Sequence, residues 1–165
     1  MKILVCGPEC SGKTHLAIYL SKELGIKYIP EFAVEYLDAL EDRKYTEADI
    51  KAIAKEHYRL YEEASANASV VLDTFLLNLK IWSEYRFGAA DEWIMKTLES
   101  IEFDHVLLMR PDIEWEDAPY RENPNDRDRL FEMYVNELET LGWDFHIIEG
   151  QGEQRMLNAL SFIDV

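Results

Sequence analysis

The sequence predicts a three-layer α/β/α fold, in which helices cover both faces of a five-stranded parallel sheet. Five short apolar runs alternate with longer segments of helical periodicity along the 165 residues, and this alternation favours right-handed crossovers between parallel strands. The first apolar run leads directly into a glycine-containing loop and then into a helical segment. No repeat, low-complexity stretch or linker interrupts the pattern, so we expect one domain over residues 1–165.

Each predicted element has a local signal. The predicted strands are the apolar runs Lys2–Cys6, Lys27–Ile29, Ser69–Leu72, His105–Met109 and Phe145–Ile148. The predicted helices are Gly12–Leu24, Val34–Leu40, Glu47–Ala66, Leu76–Arg86, Asp91–Ser100, Asp126–Leu141 and Glu153–Phe162. Gly25 and Gly142 follow two of these helices as C-terminal stops, and Thr46 with Asp49 forms a capping signal before a third. The stretch from Arg110 to Asn125 has no periodicity and is expected to be irregular.

Residues 7–14 read Gly-Pro-Glu-Cys-Ser-Gly-Lys-Thr, which is the P-loop pattern G-x-x-x-x-G-K-[ST]. In such a loop the backbone N–H groups surround a phosphate, and the N-terminus of the following helix faces the anion. Lys13 is expected to reach the β- and γ-phosphates, and the Thr14 hydroxyl is expected to bind Mg²⁺. The predicted nucleotide-binding residues are Gly7, Glu9, Cys10, Ser11, Gly12, Lys13, Thr14 and His15. The motif predicts a nucleoside triphosphate as ligand, with ATP and Mg²⁺ as the cofactors, and His15 is expected on the helix surface.

Composition excludes several partners. The chain has 33 acidic and 17 basic residues and a formal charge of −16, so its surface repels nucleic acids and anionic lipid. No apolar run reaches the roughly 20 residues of a membrane span, and no signal peptide is visible, so a cytoplasmic location is expected. The two cysteines, Cys6 and Cys10, lack the further ligands of a metal site and are expected to be structural thiols.

Acidic residues follow two further predicted strands. Asp73 ends the run Val-Val-Leu-Asp and is typical of a Walker-B carboxylate, which holds Mg²⁺ or serves as the general base. Glu31 follows the second strand, and Glu35 lies one turn further along the next helix. Both are expected to face an acceptor, by binding its sugar hydroxyls or by taking its proton. The alternatives are a turn residue for Asp73 and charge at a helix N-terminus for the glutamates.

The irregular segment, about residues 110–127, combines prolines, a tryptophan and arginines. We expect it to form a lid in which Arg121 and Arg127 stabilise charge on a transferred phosphoryl group. The alternative is a surface loop whose arginines pair with its own acids, six of which lie within residues 110–127. Trp115 is expected to pack either on a substrate ring or in the core.

Several segments together resemble the ribosylnicotinamide kinase domain of bacterial NadR-type proteins. They are the P-loop, Pro-Glu-Phe-Ala-Val-Glu-Tyr-Leu at 30–37, Leu-Asp-Thr at 72–74 with Trp-Ser-Glu-Tyr-Arg-Phe-Gly at 82–88, and Pro-Asp-Ile-Glu-Trp-Glu-Asp at 111–117. The resemblance spans nearly the whole chain. It implies phosphorylation of the 5′-hydroxyl of nicotinamide riboside by ATP. It further implies a riboside pocket lined by Glu31, Glu35, Trp82, Tyr85, Trp115 and Asp117.

The chain departs from the family pattern at two positions. Val34 stands where the family usually has arginine, so any contact of that arginine with substrate or phosphate is missing here. Cys10 stands where serine is usual, which the backbone cradle tolerates. Larger family members carry an adenylyltransferase domain, and this chain, which begins at the first kinase strand, is expected to lack that activity. The alternatives are a kinase for another nucleoside and an ATP-binding regulatory module without catalysis. A GTPase is disfavoured because no Asn-Lys-x-Asp signature occurs.

Overall fold

The computed structural model describes residues 1–40 and 44–163. In these residues five short strands alternate with seven helices. The strands are β1 (Lys2–Cys6), β2 (Lys27–Ile29), β3 (Val70–Asp73), β4 (His105–Met109) and β5 (His146–Ile148). The helices are α1 (Lys13–Leu24), α2 (Ala33–Asp38), α3 (Glu47–Ser65), α4 (Leu76–Phe87), α5 (Glu92–Glu99), α6 (Arg127–Leu141) and α7 (Gly152–Leu160).

The strands form one parallel sheet in the order β2-β3-β1-β4-β5. The chain builds β2 and β3 on one side of β1 and then crosses to build β4 and β5 on the other side. This reversal is a topological switch point, and the crevice outside the carboxyl ends of the strands at such a point is where α/β sheets bind ligands. The loop that follows β1 therefore lies in the middle of the predicted binding edge.

Helices cover both faces of the sheet, as the sequence predicts. Side chains on β1 alternate between the faces, so that Ile3 and Val5 pack with α1 and α7, whereas Leu4 and Cys6 face the larger cluster beneath α2 to α6. The three-layer α/β/α prediction is thereby confirmed. None of the helices in the described ranges combines the length and apolar composition needed to cross a membrane.

The predicted element boundaries are wrong by one or two residues at several ends, although every predicted element is present. β3 begins and ends one residue later than predicted because Asp73 still pairs with Val5 of β1. The first helix begins at Lys13, since Gly12 has a left-handed φ of 82°. Corrections of one or two residues apply to the ends of β5 and of helices α2, α3, α4, α5, α6 and α7. The capping box of Thr46 and Asp49 at α3 is confirmed.

Candidate active site

The loop after β1 is shaped by its two glycines. Gly7 has a φ of 136°, and a Cβ at this position would lie 2.8 Å from the backbone oxygen of Met109 on β4. Only glycine fits such a close approach of two backbones. The second glycine, Gly12, takes a left-handed conformation directly before α1, so that the helix begins at Lys13. The loop thus has the concave path that a phosphate cradle requires.

Side chains brace this loop from within and from α4. Lys13 Nζ and Ser11 Oγ each donate a hydrogen bond to the backbone oxygen of Pro8, both at 2.7 Å. The Asn78 side chain of α4 donates to the Gly7 oxygen at 3.3 Å. Burial raises the pKa values of Asp73 and Glu31, and the positive charge of Lys13 opposes the rise at both, so this ammonium lies near both carboxylates.

Asp73, the last residue of β3, is 1% exposed. Burial raises the pKa of its carboxyl, while the Thr14 hydroxyl, Lys13 and the Tyr28 hydroxyl act in the opposite direction. Tyr28 donates to Oδ2 at 3.3 Å. The other oxygen, Oδ1, is buried and accepts no hydrogen bond from any of the described residues. A buried carboxylate oxygen without a donor is costly unless a ligand completes it.

Glu31 follows β2 and is partly buried. Burial raises the pKa of its carboxyl to about 6; Lys13 opposes the rise, and the negative charges of Asp73 and Glu9 add to it. The same pair, Glu31 and Glu9, raises the pKa of the buried Tyr134 on α6, where burial is the main cause. Glu31 therefore belongs to the group of charges around the P-loop.

The residues of this group fit a magnesium ion held together with a nucleotide. The donor-free Oδ1 of Asp73 and the Thr14 hydroxyl are oxygen ligands, which Mg²⁺ prefers. No cluster of three or more His, Cys, Asp or Glu side chains within the described ranges is arranged to hold a metal by itself. The ion would therefore take its remaining ligands from phosphate oxygens and water, which is the usual arrangement for Mg²⁺.

The segment of residues 110–126, which joins β4 to α6 without helix or strand, is fastened to the P-loop by Glu9. The Glu9 carboxylate accepts the backbone N–H of Glu122 at 3.2 Å and that of Asn123 at 3.0 Å, and the Asn123 side chain donates to it at 3.4 Å. From the same segment, Tyr120 donates to Asp38 of α2 at 2.7 Å. The segment thus bridges the P-loop and α2.

Arg121 and Arg127 also reach the P-loop, and both do so at Cys10. Arg127 Nη1 donates to the backbone oxygen of Cys10 at 3.0 Å, and Arg121 Nη1 lies 3.5 Å from its Sγ. Neither guanidinium forms an ion pair with a carboxylate of residues 1–40 or 44–163. The alternative of a loop whose arginines pair with its own acids therefore does not describe these two residues.

Of the two predicted partners of Trp115, the core formed by the described residues is not in contact with it, and a substrate ring stays a prediction. The Trp115 ring lies 5.7 Å from the Arg127 guanidinium and its Nε1 donates to Asp117 at 2.7 Å, so its partners are a cation and a carboxylate of its own segment rather than the core. Cation–π contact of this kind contributes about 0.5–1 kcal/mol at exposed sites. Trp115 thus orients Arg127.

The remaining predicted residues make no hydrogen bond to the P-loop within the described ranges. His15 and Glu35 are exposed on α1 and α2. Trp82 donates to the Tyr45 hydroxyl at 3.0 Å, and Tyr85 hydrogen bonds to the Asp126 carboxylate at the start of α6. The structure thus brings together Lys13, Thr14, Asp73, Glu31, Arg121 and Arg127. The hydrogen bonds that Glu122 and Asn123 donate to Glu9, and that from Asn78 to Gly7, were not predicted, since no local pattern marks partners so distant in sequence.

Strained backbone conformations also occur near the carboxyl edge of the sheet. In the described part of the chain, the non-glycine residues with φ in the left-handed region are Cys10 at 51°, Thr74 at 64° and Tyr120 at 65°. One lies in the P-loop, one directly follows Asp73 and one lies in the 110–126 segment. Such conformations cost about 1–2 kcal/mol each and cluster at functional sites.

The AAA domain family matches residues 2–155. The chain belongs to this family. No curated protein sequence matches the chain.

Solved structures of several P-loop kinases share the fold at low sequence identity. The NadR protein in complex with NR is 18% identical, with a TM-score of 0.81, and the match covers 97% of this chain but 49% of that one. Deoxyadenosine kinase from M. mycoides is 18% identical, with a TM-score of 0.68 and coverage of 99% and 100%. Thymidylate kinase from Ehrlichia chaffeensis is 16% identical, with a TM-score of 0.68 and coverage of 98% and 97%. This chain spans about half the length of NadR. The fold is therefore that of P-loop kinases.

Proposed function

We propose that the chain is an ATP-dependent kinase that transfers the γ-phosphoryl group to the 5′-hydroxyl of a nucleoside, with nicotinamide riboside as the first candidate acceptor. One observation carries the proposal. The P-loop, Asp73 and Glu31 end the three neighbouring strands β1, β3 and β2, so a phosphate cradle and two carboxylates share one crevice. A nucleotide switch without catalysis has no need of the second carboxylate.

On the donor side, the P-loop backbone and Lys13 would bind the phosphates of ATP. Lys13 rests on the Pro8 oxygen at 2.7 Å, so its ammonium already points back along the loop rather than into solvent. Thr14 and Asp73 would hold Mg²⁺, which when bound supplies positive charge against the phosphate oxygens. Positioning and charge stabilisation of this kind account for most of the catalysis in phosphoryl transfer.

On the acceptor side, Glu31 would take the proton of the attacking hydroxyl. A pKa of about 6 leaves this carboxylate ionised at neutral pH and still basic enough to accept a proton. Asp73 is the second candidate for this role, although its hydrogen bond with the Thr14 hydroxyl favours a role in binding Mg²⁺. The further acceptor contacts proposed are those of the resemblance, from Glu35, Trp82, Tyr85, Trp115 and Asp117.

Residues 110–127, which are the 110–126 segment and the first residue of α6, would act as the lid of this kinase. Hydrogen bonds to Glu9 hold the segment against the P-loop, and the guanidinium groups of Arg121 and Arg127 reach Cys10 there. Since no carboxylate of the described residues neutralises these two arginines, their charge would be available to the transferred phosphoryl group. A closed lid also excludes water, which otherwise competes with the nucleoside hydroxyl.

The experiment that tests the proposal is ATP turnover with Mg²⁺ across a panel of nucleosides headed by nicotinamide riboside, with the mass of the product measured. We expect one nucleoside to gain the mass of a single phosphoryl group. Turnover of a different nucleoside would support the kinase activity and show that nicotinamide riboside is not the acceptor. Tight ATP binding with no nucleoside phosphorylated would overturn the proposal in favour of a regulatory module.

Removal of the central charges is the first mutational prediction. Lys13→Ala and Asp73→Asn should each lower kcat/KM by a factor of at least about 100, since each removes a charge-assisted contact to phosphate or metal. Both variants should keep the circular dichroism spectrum of the parent chain, because neither side chain fills the apolar core. Near-full turnover in either variant would show that the residue has no catalytic role.

The acceptor can be tested at Val34, which is 44% exposed on α2. We expect Val34→Arg to give no gain on nicotinamide riboside over a matched variant, Leu157→Arg, which adds the same charge at a 47% exposed position of α7. A selective gain on nicotinamide riboside would contradict its place as the acceptor of this chain. It would indicate that this position, valine here, distinguishes among nucleosides.

A further inference from the structure

A buried arginine outside the predicted site connects three loops at the carboxyl edge of the sheet. Arg155 lies in the first half of α7 and is 2% exposed. Its Nη2 donates to the backbone oxygens of Ser11 at 2.9 Å and Arg110 at 2.7 Å, and its Nη1 donates to that of Gly150 at 2.8 Å. The P-loop, the exit of β4 and the exit of β5 are thereby held by one guanidinium.

Asp112 completes this arrangement. One of its carboxylate oxygens pairs with Arg155 Nη1, and the other accepts the backbone N–H of Gly150 at 2.8 Å. The Asp112 carboxylate neutralises the buried guanidinium of Arg155. Its bond to Gly150 is a second link between the segments that follow β4 and β5. The remaining donor, Arg155 Nε, is buried without a partner among the described residues and lies 3.9 Å from the place where a Gly12 Cβ would be.

A gain in the stability of the fold does not by itself explain the buried pair of Arg155 and Asp112. Burying a guanidinium and a carboxylate carries a desolvation penalty, and apolar residues of similar volume often support a fold equally well. The partners of Arg155 are mostly backbone oxygens of loops, which an apolar side chain would leave without a donor. The arrangement therefore fixes loop positions rather than filling the core.

The contact to Ser11 has a consequence for the phosphate cradle. In a trans peptide the C=O and the following N–H point in opposite directions. Because the Ser11 oxygen faces Arg155 on the α7 side, the N–H of Gly12 points away from α7. A charged donor on the carbonyl also polarises the peptide, which strengthens its N–H as a donor.

We propose that Arg155 is a positioning residue for the donor nucleotide: through Ser11 it sets the direction of the P-loop N–H groups that bind phosphate. Arg155 touches no reacting group in this proposal. It rests on the proposed function only in requiring that the P-loop bind ATP, and it does not depend on the acceptor.

The test is the affinity for ATP with Mg²⁺, measured by titration calorimetry without any nucleoside. Arg155→Met removes the donors, and Arg155→Lys keeps the charge but cannot form the two-pronged contacts. We expect the Kd for ATP to rise about 10- to 100-fold in the methionine variant and less in the lysine variant. The bound β-phosphate should also show a shifted ³¹P resonance in both variants.

Lys80 offers a matched control. It is also a buried cation, 7% exposed, and it pairs with Glu84 at 2.6 Å and Glu137 at 2.8 Å between α4 and α6. We expect Lys80→Met to lower the melting temperature while leaving the Kd for ATP within about twofold of the parent chain.

The outcomes separate the inference from the proposed function. If both Arg155 variants bind ATP like the parent while melting lower, as Lys80→Met does, Arg155 is structural and the inference is wrong. If the methionine variant does not fold, the lysine variant alone decides by the same criterion. If the parent binds ATP but phosphorylates no nucleoside, only the proposed function fails. A parent chain that binds no ATP overturns both.

Discussion

The raised pKa of Glu31 connects its proposed catalytic role with a cost in the stability of the fold. It lies partly buried beside Asp73 and Glu9, and burial with these charges outweighs the opposing effect of Lys13. The folded chain therefore holds the Glu31 proton more tightly than the unfolded chain does. Since the folded state binds more protons between about pH 4.5 and pH 6, its free energy of unfolding falls as the pH rises through this window.

Glu31→Gln should accordingly stabilise the fold above pH 6. The glutamine cannot ionise, so the variant avoids the penalty, which is on the order of 1–2 kcal/mol for this shift. We expect its advantage over the parent in chemical denaturation to be full above pH 6, to shrink as the pH falls and to vanish below pH 4.5. Glu35→Gln, at an exposed carboxylate one turn away, is the control and should show no such pattern.

The same substitution tests the catalytic role of Glu31. The pH profile of kcat/KM in the parent chain should rise through about pH 6 as the carboxylate ionises. The Glu31→Gln variant should not show this rise with pH, and its kcat should be lower by a factor of at least about 100. A variant that gains stability but retains the rise would assign proton transfer to Asp73 instead.

At the scale of elements, the 110–126 segment is held by contacts that differ from the packing of the helices. Its anchors are hydrogen bonds and an ion pair, from Glu9 at the P-loop, Asp38 on α2, and Gly150 and Arg155 at the exit of β5, and none of its side chains is fully buried. Segments of this kind open more easily than packed helices, because few apolar contacts are lost when they detach. Opening and closing of the segment would then depend on a few hydrogen bonds.

Glu9→Gln is expected to loosen this segment. Glutamine keeps one acceptor oxygen but loses the charge that strengthens the bonds to the Glu122 and Asn123 N–H groups. We predict that trypsin cleaves after Arg121 several times faster than in the parent chain, as followed by mass spectrometry. Glu114→Gln removes an equal charge from an exposed side chain of the same segment and should leave the rate unchanged. Equal cleavage of all three chains would mean that Glu9 does not hold the segment.

At the scale of the whole molecule, the charge of −16 opposes the compact state. Salt screens this repulsion, since the Debye length falls from about 30 Å at 0.01 M to about 8 Å at 0.15 M ionic strength. We predict that the melting temperature at pH 7.5 rises by roughly 2–5 °C over this range. Near the isoelectric point of about 4.6 the rise should disappear. A melting temperature that falls with salt at pH 7.5 would show that attractive ion pairs dominate.

The parts of the molecule that follow from local order were predictable, and those that depend on distant partners were not. The P-loop, and the places of Asp73 and Glu31 at strand ends, follow from patterns a few residues long, and parallel topology then brings them to one edge. The end of β3 was misplaced because Asp73 is held in the strand by its pairing with β1. The bond from Glu9 to Asn123, 114 residues apart in sequence, and that from Arg155 to Ser11 have no local signal.

The position of Arg155 has a consequence for hydrogen exchange. Among the described residues α7 and α1 form the thinner layer, so the amides of α7 are expected to exchange through local opening. Any opening that withdraws Arg155 also releases the Ser11 oxygen, and an ordered P-loop therefore disfavours it. Bound ATP should slow deuterium uptake in α7, a helix that need not touch the nucleotide at all. Deuterium uptake in α7 would thus report whether ATP occupies the P-loop.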